Sequence, residues 1–325
     1  MHVLITGGAG FIGSHLAAYH INLGDKVHVI DNLSTGRIEN ILPLMNHPDF
    51  IFNEEDILVW DGLEKAVWWA DRIYHMAAVV GVFRVLQEPI SVLATNIAGC
   101  ERILRALHNS RWETKLIIAS TSEVYGNRGE NELLCEDMDL LISPGINSRW
   151  NYSISKLADE AFGLSYARQY GMDITLIRFF NVIGPNQTGK YGMVVPRFVN
   201  QANNNEPITV FGDGTQKRAF LDVRDALIYL DRIAQNPKSK GEVINVGTNH
   251  EITIDDLASM IKKDSNSSSK IIHIPYEEAY GKDFDEIYHR KPDLTKLIRL
   301  TDFQPEWSLE RTLEDLIIHQ RKKEH

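Results

Sequence analysis

Met1-His2-Val3-Leu4-Ile5-Thr6-Gly7-Gly8-Ala9-Gly10-Phe11-Ile12-Gly13 is the stretch whose reading decides the architecture. Its first six residues form a short apolar run with β-branched side chains, and a helical pattern takes over from Ser14. A buried strand, a glycine turn and a helix are expected. Gly7, Gly10 and Gly13 let the backbone turn sharply, approach a ligand without a Cβ in the way, and seat the helix closely on the sheet. The free amides of that helix start, around Phe11 and Ile12, then face a phosphate. Working outward, Lys26-Val27-His28-Val29-Ile30 reads as the next strand. It ends at Asp31, about 18 residues beyond Gly13 and near the spacing of a carboxylate that binds an adenosine ribose. Turn and carboxylate together point to a dinucleotide. The charge of Asp31 repels a 2′-phosphate, which favours NAD over NADP even with Arg37 nearby.

The 325 residues are 43% hydrophobic and 24% charged, enough for a full core in one large or two unequal domains. No basic leader with a small-residue cleavage site is read at the N-terminus and no stretch approaches a membrane span, so a cytoplasmic protein without a membrane partner is expected. Cys100 and Cys135 have neither framework nor metal-ligand spacing, and no metal is expected. The formal net charge of -10 disfavours nucleic acid, so an anionic ligand needs a local group of arginines held against the global field.

From residue 1 to about 180, short apolar runs alternate with amphipathic stretches, the pattern of an α/β doubly wound parallel sheet. Strands are expected at Val3 to Thr6, Lys26 to Ile30, Phe50 to Asn53, Arg72 to His75, Leu116 to Ser120 and Ile174 to Arg178. Helices are expected at Ile12 to Leu23, Leu58 to Val67, Ser91 to Asn109 and Tyr152 to Tyr170. Beyond 180 the pattern becomes irregular, and a smaller C-terminal α/β lobe is expected. It has a helix at Val194 to Ala202, a strand at Ile208 to Phe211, and helices at Ile254 to Lys262 and Leu309 to Gln320. Helix Ala226 to Ile233 and strand Glu242 to Val246 return to the first domain. The domains are therefore 1–180 plus 219–248 for the dinucleotide, and 181–218 plus 249–325 for the substrate. Ser265 to Ser269 reads as a surface loop.

Asp56-Ile57 follows the third strand and reads equally as an adenine contact or a helix N-cap. His75-Met76-Ala77-Ala78 ends the fourth strand, and small Ala77 and Ala78 let a dinucleotide lie against the backbone; His75 is read as structural. Ser120-Thr121-Ser122-Glu123-Val124-Tyr125-Gly126 follows an apolar strand, so its hydroxyls and carboxylate emerge at the carboxyl end of the sheet. In Tyr152-Ser153-Ile154-Ser155-Lys156 the phenol and the ammonium lie one helical turn apart on one face. The ammonium, with a nicotinamide cation close by, is expected to lower the phenol pKa from about 10 toward working pH, making Tyr152 a general base.

At this point the chain resembles, over essentially its whole length, the extended short-chain dehydrogenase/reductase family of NAD-dependent sugar-nucleotide epimerases, dehydratases and decarboxylases. The motifs are Thr6 to Gly13, Asp31-Asn32-Leu33-Ser34-Thr35-Gly36, Ser120 to Gly126, Tyr152 to Lys156, Arg178-Phe179-Phe180-Asn181 with Gly184-Pro185, and Phe211 to Arg218. The resemblance implies a Rossmann domain and a tightly held NAD contacted by Asn32, Ser34, Thr35, Gly36 and Ser120 as well as by the turn. It also implies Tyr152 and Thr121 at the sugar 4-hydroxyl, Asn181 and Arg218 at the nucleotide diphosphate, and Phe211 beside the base. Arg218 and Arg290 supply the local positive charge.

Ser122-Glu123, Arg149-Trp150 and His289-Arg290-Lys291-Pro292 look most like the UDP-glucuronate decarboxylases, with Ser122, Glu123 and Arg290 at the carboxylate end of the sugar. The expected product is UDP-xylose or its 4-keto precursor. A UDP-sugar 4-epimerase is the second reading. A 4,6-dehydratase is third, because Ser122 stands where that class has Asp. A noncatalytic NAD-bound regulator is disfavoured by the intact Thr121, Tyr152 and Lys156. The apolar stripes Leu93 to Leu107 and Ala158 to Tyr166 suit either a homodimer face or packing within the chain.

Overall fold

The computed structural model describes residues 1–325 apart from 112, 129–131, 143–149, 191, 282–286, 288, 289, 324 and 325, so Arg149 and His289 lie outside the described residues. Seven parallel strands form the main sheet: β1 (His2–Thr6), β2 (Lys26–Asp31), β3 (Phe50–Glu54), β4 (Arg72–His75), β5 (Lys115–Thr121), β6 (Ile174–Phe179) and β7 (Val243–Val246). Their order is β7-β6-β5-β4-β1-β2-β3, with every neighbouring pair parallel. Strand order reverses between β1 and β4, and the crevice outside their carboxyl ends is where such sheets take ligands.

Parallel strands covered on both faces read as continuous apolar runs, and here successive residues serve opposite layers. Val3 and Ile5 share a core with Leu16 and Ala17 of α1 (Phe11–Asn22) and with Ala226 and Leu230 of α6 (Val223–Gln235). Leu4, between them, belongs to the other core. That core also holds Leu63 of α2 (Leu63–Trp69), Ile103 and Leu104 of α3 (Pro89–Ser110), and Leu116, Ile118 and Leu176 of β5 and β6. Helix α4 (Trp150–Tyr170) packs along α3 and β5. The expected α2 begins five residues late. Asp56 accepts the Leu58 amide at 2.8 Å in a local turn, and the Val59 and Trp60 amides bond the Asp56 carbonyl, so the chain turns once before Gly62 opens the helix.

A separate apolar cluster unites α5 (Val194–Asn203), α7 (Ile254–Asp264) and α8 (Leu309–Lys323) through Phe198, Val199, Leu257, Ile261, Leu313 and Leu316. Strand Ile208–Phe211 lies beneath them, paired in parallel with Ile271–Ile274, and Lys217–Ala219 runs antiparallel to Glu251–Thr253. Three of those four short strands escape a periodicity reading because three or four residues cannot display a period. Ser265 and Ser269 are buried, and Asn205 Oδ1 accepts from the Ser268 amide at 2.9 Å, so the serine tract is a pinned turn.

One buried ion pair ties sheet to helix beside the carboxyl edge. Arg178 of β6 donates from Nε to Glu160 Oε1 at 2.9 Å and from Nη2 to Oε2 at 2.8 Å, and Ser120 Oγ donates to the same Oε1 at 2.5 Å. Side chains of both partners are 5% exposed. A bidentate pair of this kind fixes geometry as well as energy. Glu160→Ala strands the guanidinium without a counter-charge and is expected to cost about 3–5 kcal/mol, measured as a lowered urea midpoint with an unchanged slope.

Candidate active site

A cleft of about 320 Å³ opens along the carboxyl edge. Gly7, Gly10, Phe11, Ile12 and Gly13 form its floor. Gly7 has φ +71, and a Cβ there would lie 2.6 Å from the Ala77 nitrogen; a Cβ on Gly13 would lie 2.3 Å from the Gly7 oxygen. A Cβ on Gly10 would meet only the Gly7 oxygen, at 3.1 Å. Gly7 and Gly13 thus serve the chain's own close packing, while Gly10 keeps the mouth of the turn clear. No side chain caps α1 and its first turn holds no acidic residue, so its leading amides are available to an anion.

Asp31, Asn32, Ser34 and Thr35 line one wall, facing Asp56 and Ile57. The Asp31 carboxylate is buried, which pushes its pKa up, while it accepts the Leu33 amide at 2.8 Å and the Ala9 amide at 2.9 Å. Asn32 Nδ2 donates to Asp56 Oδ2 at 3.0 Å, joining the two strand ends. Asp56 therefore sits in the cleft, and Gly62 rather than Asp56 precedes α2. Gly36 is the exception among these residues. It does not line the cleft; a Cβ on it would fall 2.7 Å from Asp31 Oδ1, so its role is to make room for that carboxylate. Arg37 pairs with Glu39 at 3.5 Å on the surface. Ala77, Ala78 and Ser120 complete the wall, with the Ser120 hydroxyl turned to Glu160.

A second cavity of about 310 Å³ meets the first at Thr121 and Tyr152, which line both. Ser122 and Glu123 continue from Thr121 in a short 3-10 turn, and Thr121 Oγ1 accepts the Glu123 amide at 3.2 Å. Asn181, Phe211, Arg218 and Arg290 line the same cavity. Arg290 Nη1 lies 3.4 Å from Glu123 Oε1, an ion pair between residues 167 positions apart. Arg197 of α5 also lines it, as do Tyr276 and Tyr280. None of these three stands out in the sequence, since an arginine in an amphipathic helix and tyrosines in an irregular segment match a solvated surface equally well.

Tyr152 and Lys156 share one face of α4, as their spacing requires, and both line the first cleft. The protein's own groups, apart from the nicotinamide cation that the expectation includes, raise the phenol pKa. Burial pushes the Tyr152 phenol up to about 12; Lys156 opposes this, while Glu123 and Asp159 add to it. Lys156 does not act on the phenol alone, because the fully buried Asp159 Oδ2 accepts from Lys156 Nζ at 2.9 Å. Burial works against the Lys156 ammonium, but Asp159 and Tyr152 outweigh it and hold the pKa above the ordinary lysine value. The lysine stays charged, yet much of its field is spent on its neighbour, so Lys156 alone does not acidify the phenol.

The fold and the paired clefts define a nicotinamide-dinucleotide enzyme, with the turn, Asp31 and the Ala77-Ala78 edge fitting the dinucleotide. Residues 3–247 match the model of the NAD dependent epimerase/dehydratase family, and the chain belongs to that family, an enzyme of the extended short-chain dehydrogenase type that uses NAD. It is 38% identical to UDP-N-acetyl-alpha-D-glucosaminuronate decarboxylase of Bacillus cytotoxicus, over 97% of this chain and 96% of the relative. It is 32% identical to UDP-glucuronic acid decarboxylase 4 of Arabidopsis thaliana, over 96% of this chain and 67% of that protein. A similar solved structure is UDP-glucuronic acid 4-epimerase from Bacillus cereus in complex with UDP-glucuronic acid and NAD, with a TM-score of 0.88 and 30% identity, covering 99% of this chain and 100% of that one.

Two variants test the geometry. Gly13→Ala drives a methyl group into the Gly7 carbonyl and is expected to lower the NAD content of the purified protein, measured by extraction and absorbance. Asp159→Asn removes a charge that raises the Tyr152 pKa and frees the Lys156 ammonium. Because the base acts deprotonated, the acid limb of the kcat–pH profile should move to lower pH.

Proposed function

We propose that this chain decarboxylates a UDP-hexuronate, UDP-glucuronate in the first instance, to UDP-xylose or its 4-keto precursor. The observation that carries the reading is the Glu123–Arg290 pair facing the same cavity as Thr121, Ser122 and Tyr152. Decarboxylases of two UDP-uronates among the relatives support it.

Bound NAD supplies the hydride acceptor and donor at C4 of the sugar and a cationic ring that adds to the field of Lys156. Tyr152 takes the proton of the 4-hydroxyl, with Thr121 as its hydrogen-bonding companion. A C4 ketone stands β to the C6 carboxylate, so loss of CO2 sends electrons into an enolate that Thr121, Ser122 and the protonated Tyr152 stabilise by hydrogen bonds. Arg290 holds the departing carboxylate, and Glu123 orients Arg290 and disfavours a second negative charge beside it. Asn181 and Arg218 contact the diphosphate, Phe211 flanks the base, and Gly36 acts through Asp31.

In this reading residues 1–180 with 219–248 carry the dinucleotide, and 181–218 with 249–325 carry the nucleotide sugar. Among the described residues no helix is long and apolar enough to cross a membrane. A cytoplasmic homodimer is part of the proposal, its face formed by α3 and α4. These helices pack on each other and still expose Ile90, Ile154 and Phe162. A 4-epimerase is the second reading, favoured by the likeness to the UDP-glucuronic acid 4-epimerase, which is in complex with the same acid.

The deciding experiment incubates the protein with UDP-glucuronate and, separately, UDP-N-acetylglucosaminuronate, and follows the sugar by NMR. Loss of C6 is expected. An inverted C4 with C6 retained identifies the epimerase, and no change in either sugar rejects both readings. Tyr152→Phe should lower turnover by about 10² to 10⁴-fold while NAD content stays at the wild-type level.

A further inference from the structure

Arg197 sits in the first turn of α5 and lines the cavity shared by Tyr152 and Phe211. Its Cζ lies 3.7 Å from the centroid of the Phe211 ring, which in turn contacts Phe83 and Tyr280. Nε and Nη1 are buried without a hydrogen-bond partner, and among the described residues no carboxylate pairs with this guanidinium. The other two arginines of the cavity are placed differently. Arg290 is paired with Glu123, and Arg218 Nη1 donates to the Lys217 carbonyl at 2.7 Å.

Such an arrangement opposes folding on two counts. A half-buried cation whose Nε and Nη1 are closed off without a counter-charge loses hydration that no ion pair returns. The first turn of a helix is also where aligned peptide dipoles repel a cation, and α5 has no acidic residue there to offset them. Burial draws the Arg197 pKa down to about 10, which still leaves the group charged at neutral pH. Stacking on Phe211 recovers part of the cost and holds the guanidinium plane fixed, with its N–H edge free for a planar acceptor. What is missing is an anion.

We infer that Arg197 is a third arginine of the diphosphate subsite, contributing N–H donors to the phosphate oxygens of the nucleotide. The inference rests on the nucleotide-sugar reading above. By that reading the sugar lies at Tyr152 and the base at Phe211, so the charged group between them is the diphosphate. The α5 dipole that disfavours the bare guanidinium favours the anion, and the two effects act together once the ligand is in place.

The test measures binding of UDP and of uridine to the NAD-loaded protein by calorimetry, for wild type, Arg197→Gln and Arg197→Lys. Arg197→Gln should weaken UDP by about tenfold or more, as for loss of a charge-assisted hydrogen bond, and change uridine by less than about twofold. Arg197→Lys should fall between, since it keeps the charge and loses the planar fork. Without UDP, the melting temperature of Arg197→Gln should equal or exceed that of wild type, because an unpaired buried charge has been removed. UDP should then raise it less than it raises wild type. Equal weakening of UDP and uridine would assign Arg197 to the base and overturn the inference, as would UDP binding unchanged in both variants. Failure of the wild type itself to bind UDP would defeat the nucleotide-sugar reading and this inference with it.

Discussion

The buried fork between Arg178 and Glu160 is the contact on which the active-site geometry depends. Arg178 is on the strand beside β5, and Glu160 is one turn beyond Lys156 on α4, so the pair fixes that helix against the sheet edge carrying Ser120 and Thr121. Ser120 donates to the same carboxylate, which leaves Thr121 as the hydroxyl facing both clefts. The register of α4 against β5 then places Tyr152 where the two cavities join. A helix free to slide by one residue would carry the phenol about 100° around its axis and out of the site. Arg178, and Ser120 through its hydroxyl, thus serve as scaffold.

Much of this was legible in the chain because a parallel sheet buried on both faces writes itself as apolar runs, as β1, β5 and β6 do. The glycine turn and Asp31 were legible for a different reason: steric limits on backbone approach and the fixed strand-to-strand distance dictate which residues stand where. Spacing could not separate a glycine that lines a cleft from one that yields space to a carboxylate, and Gly36 is of the second kind. Nor could it show that Asp56 closes a local turn, which delays α2.

Electrostatic detail was the least legible, because it depends on burial. An aspartate three residues after a lysine on a helix ordinarily describes a solvated pair worth little. In this chain Asp159 is fully buried and takes up the ammonium of Lys156, and burial raises the Tyr152 phenol. Arg197 is the converse case: as a letter in an amphipathic helix it matches a surface residue, and only its burial on Phe211 marks it. Pattern reports where side chains lie along an element, whereas effective charge depends on what excludes water around them.

Asp159 and Arg197 bear on one another through the division of the site. On the proposed reading the charges at the sugar end are balanced within the protein, Lys156 against Asp159 and Arg290 against Glu123. At the base end Arg197 is unbalanced. On that reading attraction is strongest for the part of the ligand that does not react, and the reacting end is held near neutrality. On the proposed reading, binding energy gained on the diphosphate is available to seat the sugar carboxylate beside Glu123, a contact that opposes binding of the acid and is relieved as CO2 departs. A site with balanced charge throughout would bind the nucleotide less firmly. One with an unpaired cation at the sugar end would stabilise the carboxylate it has to expel.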